Sequence, residues 1–159
     1  MGYSAHTREV SEMEESSTAA RVLIVAYRTA ATPPLIDAVR ARAEQGRCAF
    51  TLLVPDLHRG VEEAETREAD VILELAIPLL EEAAGGRVEG MVGAADPYRA
   101  VRDALDERDA DEIMVSTLPP RVSRWLSMDL PGRLEALGKP VTVVTGPESA
   151  RPVSSASPA

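Results

Sequence analysis

Lysine is almost missing from this 159-residue chain: Lys139 stands alone beside sixteen arginines, a skew that we read as compositional bias. Aromatic side chains make up 3% of the residues, and Cys48 is the single cysteine. One thiol excludes an internal disulfide framework and any cysteine-built metal cluster. The only histidines are His6 and His58, too few for a histidine metal site. Long apolar runs are missing too. Stretches such as Val22 to Ala26 and Ala76 to Leu80 fall far short of the ~20 residues that cross a bilayer, so no membrane association is expected. Positive charge is scarce, with 17 basic against 26 acidic residues and a formal net charge of -9. Nucleic acid is therefore not an expected partner, because binding it requires a positive face that neutralises phosphates. Near the N-terminus, Arg8 is followed by Glu9, Glu12, Glu14 and Glu15 rather than an apolar core, and no secretory signal is expected. After Met1-Gly2, an acylation signal needs Ser or Thr where this chain has His6. The expected compartment is the cytoplasm.

What the chain does have is one globular domain's worth of apolar residues, 45% of the total. Residues 1–20 and 147–159 are polar and acidic or rich in Ser, Pro and Ala, a composition that predicts disordered tails around a domain spanning 21–146. Within that domain, short β-branched runs alternate with stretches of helical period. Val22 to Ala26 is a continuous apolar run of strand length, as in a strand buried on both faces. Thr32 and Pro33 open a helix with Leu35, Val39 and Ala43 on one stripe and Gly46 as its stop. A second strand is expected at 49–54, and a long acidic helix at 62–84 that ends at Gly85-Gly86 and is kinked or interrupted at Pro78. That helix reads as a solvated face rather than a docking surface.

A weak third strand covers 87–92. Asp96-Pro97 then caps a helix whose stripe is Tyr98, Val101 and Leu105. Ile113 to Ser116 forms a fourth strand. Trp125, Leu126, Leu130, Leu134 and Leu137 mark a last helix, divided by Pro131 and closed by Gly138, before a fifth strand at Val141 to Val144. Alternating strands and helices predict an α/β three-layer sandwich around a doubly wound, five-stranded parallel sheet.

In such sheets, ligands bind beyond the carboxyl ends of the strands, where the strand order reverses. The loops there exclude several chemistries. A receiver domain needs carboxylates after the first strand and a phosphoryl-accepting Asp after the third; Tyr27-Arg28 and Val92-Gly93 occupy those places. No glycine-rich turn follows the first strand, and neither a phosphate-loop nor a nucleophile-elbow motif occurs anywhere. No catalytic pair or triad emerges. His58, two residues past Asp56, has the makings of an oriented general base, but an exposed loop histidine is the plainer reading. Cys48 reads as a small buried apolar residue, and Trp125 as a core residue before a base-stacking one.

The run Val22 to Ala26, the Gly93-x-x-Asp96-Pro97 turn, the segment Ala110-Asp111-Glu112-Ile113-Met114-Val115-Ser116-Thr117 and the segment Lys139-Pro140-Val141-Thr142-Val143-Val144 together resemble the universal stress protein family over residues 21–145. The resemblance implies the strand order 3-2-1-4-5, a role in stress adaptation or regulation, and a two-fold homodimer paired through Val141 to Val144, a strand with no internal charge to discourage pairing. ATP-binding relatives carry Gly-x-x-Gly, nine residues, then Gly-Ser or Gly-Thr after the fourth strand. This chain instead has Ser116-Thr117-Leu118-Pro119-Pro120-Arg121-Val122-Ser123-Arg124, and its next glycine is Gly132. Prolines lack N–H donors, so no glycine-type phosphate nest is expected there, and ATP is not expected in the family's manner.

A different small anion, or an adenine nucleotide held differently, is the alternative. The candidate contact residues are Ala26, Tyr27, Arg28, Val54, Gly93, Ser116, Thr117, Arg121, Ser123 and Arg124. In that version Arg121 and Arg124, with the Ser116 and Thr117 hydroxyls, take the place of the glycine loop, and Ser123 caps the last helix so that its amino end faces the crevice. The plainer reading pairs these arginines with acids of neighbouring helices. No cofactor follows from either, and an enzyme of the broader adenine-nucleotide α-hydrolase type lacks a recognisable constellation.

Overall fold

The computed structural model describes residues 19–57 and 68–146. The sequence expectations for residues 1–18 and 147–159, for His58 and for the first residues of the acidic helix lie outside the described residues.

Among the described residues, five strands and five helices follow in the order β1 (Ala20–Val25), α1 (Pro33–Glu44), β2 (Cys48–Pro55), α2 (Glu68–Ala84), β3 (Val88–Gly93), α3 (Pro97–Glu107), β4 (Glu112–Thr117), α4 (Arg124–Ser127), α5 (Leu130–Glu135) and β5 (Val141–Thr145). All four strand pairings are parallel, and the sheet order is β3-β2-β1-β4-β5, as the resemblance implied. The register sets Val25 beside Leu53 on one side and beside Val115 on the other, so β1 is the central strand. From β1 the chain winds outward through β2 to β3, then returns across the sheet to β4. The gap beyond the ends of β1 and β4 is the switch point where loops diverge.

Because side chains alternate along a strand, β1 feeds two cores. Val22 and Ile24 pack with Leu35, Val39, Leu52 and Leu80 beneath α1 and α2. Leu23 and Val25 pack with Val101, Ile113, Val115, Leu130 and Leu134 beneath α3 and α5. This explains the unbroken apolar run: from Val22 to Val25 neither face of β1 meets water.

Local sequence rules account for most boundaries, and tertiary packing explains the departures. Asp96 caps α3 as expected, accepting a hydrogen bond from the Arg99 N–H at 3.4 Å. The buried stripe of α3 is Ala100, Val101 and Ala104, with Tyr98 and Leu105 at its margins. Small residues face the sheet so that the helix can sit close. Gly93 serves the same fit: a Cβ there would lie 2.7 Å from Ala100 Cβ and 2.9 Å from Leu53 Cδ1. Thr32 stands at the N-cap of α1 but its side chain caps nothing; it donates to the Thr29 carbonyl at 2.7 Å instead. Pro33 and Pro34 leave the first turn short of N–H groups to satisfy.

Pro78 neither breaks nor interrupts α2, which runs from Glu68 to Ala84. Its ring faces solvent, while buried Ala76, Leu80 and Ala83 hold both halves of the helix to the core. The last helix is divided, as expected, but the division falls at Asp129, which takes a left-handed backbone (φ 57) and accepts from the Gly132 N–H. Pro131 lies within the first turn of α5, where a proline is tolerated. Cys48 is half-buried rather than fully buried, and its thiol donates to the Gly46 carbonyl at 3.5 Å. Among the described residues, no helix is long and apolar enough to cross a membrane.

Candidate functional site

At the switch point a cleft of about 360 Å³ opens between the loops after β1, β2 and β4. Tyr27, Arg28 and Thr29 come from the first loop, Leu57 from the second, and Ser116 to Leu118 with Val122 to Trp125 from the third. Parallel strands deliver these loops to one end of the sheet, which is why segments nearly a hundred residues apart share one site.

The floor of the cleft is a set of hydroxyls that satisfy one another. Thr29 Oγ1 and Ser116 Oγ lie 2.5 Å apart, both buried. Thr117 Oγ1 has one proton for two acceptors, the Leu118 carbonyl at 2.5 Å and Ser123 Oγ at 3.1 Å. Ser123 Oγ in turn accepts the Leu126 N–H at 3.0 Å, so Ser123 does cap α4. That helix is a single turn of four residues, however, and contributes little dipole to the crevice. Beside the floor, the Gly146 N–H donates to the Thr117 carbonyl at 2.5 Å, tying the end of β5 to that of β4.

The walls are apolar. Leu57, Leu118 and Val122 are large exposed side chains, and Trp125 packs on both cores while turning part of its ring to the cleft. Trp125 is thus a core residue and a wall residue at once. Tyr27 is buried, and its hydroxyl donates to Glu68 Oε1 at 2.6 Å, joining the β1 loop to the start of α2. Burial first, and the Glu68 carboxylate second, push the Tyr27 phenol up to about 12. It stays neutral and acts as a donor.

Two cations stand at the rim. Arg28 lies over the Tyr27 ring at 5.6 Å, and Arg124 projects from the start of α4; both are exposed. Neither forms an ion pair among the described residues. The expectation that these arginines pair with acids of neighbouring helices therefore does not describe them.

Of the sequence candidates, the structure brings together Tyr27, Arg28, Ser116, Thr117, Ser123 and Arg124. Ala26, just past β1, and Val54, near the end of β2, are fully buried behind the cleft, Gly93 is a packing glycine under α3, and Arg121 is exposed on the loop without lining the cleft. Sequence reasoning missed Thr29, Leu57, Leu118 and Val122. For Leu57, Leu118 and Val122 the available signal was large apolar residues in loops, where polar ones are the rule. Asp56, the carboxylate considered as an orienter, is buried, with its N–H donating to the Gly93 carbonyl at 3.1 Å. Among the described residues, no group of three or more His, Cys, Asp and Glu side chains is arranged to hold a metal.

No protein-family model matches the sequence, and neither does any curated protein. Solved structures do match. A universal stress protein in complex with cAMP superimposes with a TM-score of 0.60 at 14% identity, over 82% of this chain and 100% of that one. A universal stress protein from Archaeoglobus fulgidus gives a TM-score of 0.57 at 17% identity, over 82% and 97%. At these identities the likeness establishes the fold: a universal-stress-protein-like α/β domain.

Proposed function

We propose that the protein is a non-catalytic, homodimeric regulatory or stress-adaptation protein whose cleft takes a compact anion with a planar apolar body, such as a nucleoside monophosphate or cyclic nucleotide. The observation that carries this reading is the pairing of apolar walls (Leu57, Leu118, Val122, Trp125) with two rim arginines that have no ion-pair partner among the described residues. The walls suit a base or another flat group, and a guanidinium suits a phosphate. The floor hydroxyls are already engaged with each other and with main chain. Arg28 and Arg124 therefore supply the polar recognition, in place of the serines and threonines. ATP is disfavoured because Pro119 and Pro120 remove two N–H donors from the loop that would have to wrap a triphosphate. One solved relative of this fold holds cAMP, which makes a single-phosphate adenine nucleotide the first ligand to try.

A calorimetric and thermal-shift series with cAMP, AMP, ADP, ATP and inorganic phosphate tests the reading. A bound ligand at a hundred times its dissociation constant stabilises by about 2.7 kcal/mol. The expected result is a shift with cAMP or AMP that Arg124→Ala abolishes, with ATP no better than AMP and phosphate alone silent. Tighter binding of ATP that survives Arg124→Ala would overturn it.

Dimerisation rests on β5. It is an edge strand, its middle residues Thr142 and Val143 are exposed, and it carries no charge. An uncovered edge of this kind recruits a second strand. Light scattering is expected to give twice the 17.0 kDa chain mass at micromolar concentration; a monomer mass there would remove the dimer from the reading.

A further inference from the structure

Seven large apolar side chains are exposed among the described residues, and four have a place in what precedes: Leu57, Leu118 and Val122 in the cleft, Val143 on the edge strand. The remaining three, Val71 (36% exposed), Leu75 (63%) and Leu79 (41%), lie four residues apart on α2. At 3.6 residues per turn that spacing makes one solvent-facing stripe, on the flank of α2 beside its buried Ala76, Leu80 and Ala83. A clustered apolar patch of this kind marks an interaction surface, whereas scattered single residues would not.

The surroundings say what kind of partner fits. From Glu68 to Ala84 the helix carries five carboxylates, Glu68, Asp70, Glu74, Glu81 and Glu82, and no basic residue. Glu68 and Glu81 are engaged, accepting from the Tyr27 hydroxyl and from the Val88 N–H. Asp70, Glu74 and Glu82 form no ion pair among the described residues. Pro78, exposed beside the stripe, has no N–H to offer the Glu74 carbonyl. A second copy would set acid against acid, and an anionic membrane surface would be repelled. Residues 1–18 add four glutamates, and residues 147–159 hold one basic side chain, Arg151, and one large apolar side chain, Val153, which is too little to cover the stripe.

We propose that the outer face of α2 docks a basic amphipathic helix of another protein. The partner's apolar side chains lie along Val71, Leu75 and Leu79, and its Lys and Arg meet Asp70, Glu74 and Glu82. This is the helix-on-apolar-face mode of recognition, with the charges setting partner choice and orientation.

The test uses the full chain and a fluorescein-labelled synthetic peptide of about 18 residues, five helical turns, with Leu on one face and Lys and Arg on the other. A scrambled peptide of the same composition is the control. Fluorescence anisotropy is expected to show saturable binding that weakens about tenfold or more with Leu75→Gln or Leu79→Gln. The triple change Asp70→Asn, Glu74→Gln, Glu82→Gln should weaken it similarly, and Arg124→Ala should leave it intact. Three results overturn the proposal: no binding, equal binding of the scrambled peptide, or indifference to both leucine changes. Two others overturn the assigned occupant. In one, the native mass falls with Leu75→Gln, which makes the occupant a second copy; in the other, deleting 1–18 or 147–159 tightens peptide binding, which makes it the chain's own tail.

Discussion

The two ends of the sheet use positive charge in opposite ways. At the amino ends of the strands, four basic side chains are held by carboxylates. Arg42 reaches Glu112 through Nη2 at 2.7 Å and through Nε at 3.2 Å to both oxygens, Arg21 holds Asp111, Lys139 holds Asp109, and Arg108 holds Glu89. At the carboxyl ends Arg28, Arg121 and Arg124 have no such partner among the described residues, and the hydroxyls near them bond to one another. The first end spends its charge on holding helices and strands in place. The second leaves charge exposed beside an apolar hollow.

Mutations should separate the two ends. The largest effect is expected at the amino end, where Glu112→Ala leaves the half-buried Arg42 guanidinium without its acceptor. Chemical denaturation should show a loss of about 2–3 kcal/mol. Next comes the floor of the cleft: Thr29→Val keeps the shape but strips the buried Ser116 hydroxyl of its partner, an expected loss of about 1–2 kcal/mol by the same measurement.

Smaller effects follow from pH, with each end answering at a different limb. Asp109 is held below the ordinary carboxylate range chiefly by Lys139, and Asp111 by the Arg21 backbone N–H and guanidinium. Their folded values lie below the unfolded ones, so their contribution is complete above about the ordinary 3.8 and fades as the pH falls through the folded values. Both pairs are exposed, so the acid limb should be shallow and flattened further by salt. Tyr27 is the reverse case. Its folded value is raised from 10.0 to about 12, so its contribution is complete below pH 10 and drains away as pH climbs to 12. Thermal melts from pH 9 to 12 should lose that alkaline limb in Tyr27→Phe.

The smallest change in stability is expected for Arg124→Ala, within about 0.5 kcal/mol, because the side chain is exposed and unpaired among the described residues. Loss of ligand-induced stabilisation without loss of intrinsic stability is the pattern that distinguishes the two ends. A drop of 2 kcal/mol or more in the free protein would mean that Arg124 is structural after all.

Sequence alone determined the order of elements, the doubly buried central strand, the Asp96 cap and the stop of α2 at Gly85, whose φ of +74 favours glycine. These features depend on groups within a few residues of each other, or on an apolar run with only one comfortable environment. Tertiary structure decided the rest. Whether Ser116 was a free hydroxyl depended on Thr29, 87 positions away, and whether Tyr27 was an open contact residue or a tethered donor depended on Glu68, 41 positions away. The division of arginines into spent and spare was equally hidden. Charge pairing is settled by which ends of which strands lie side by side, and a one-dimensional pattern carries no record of that distance.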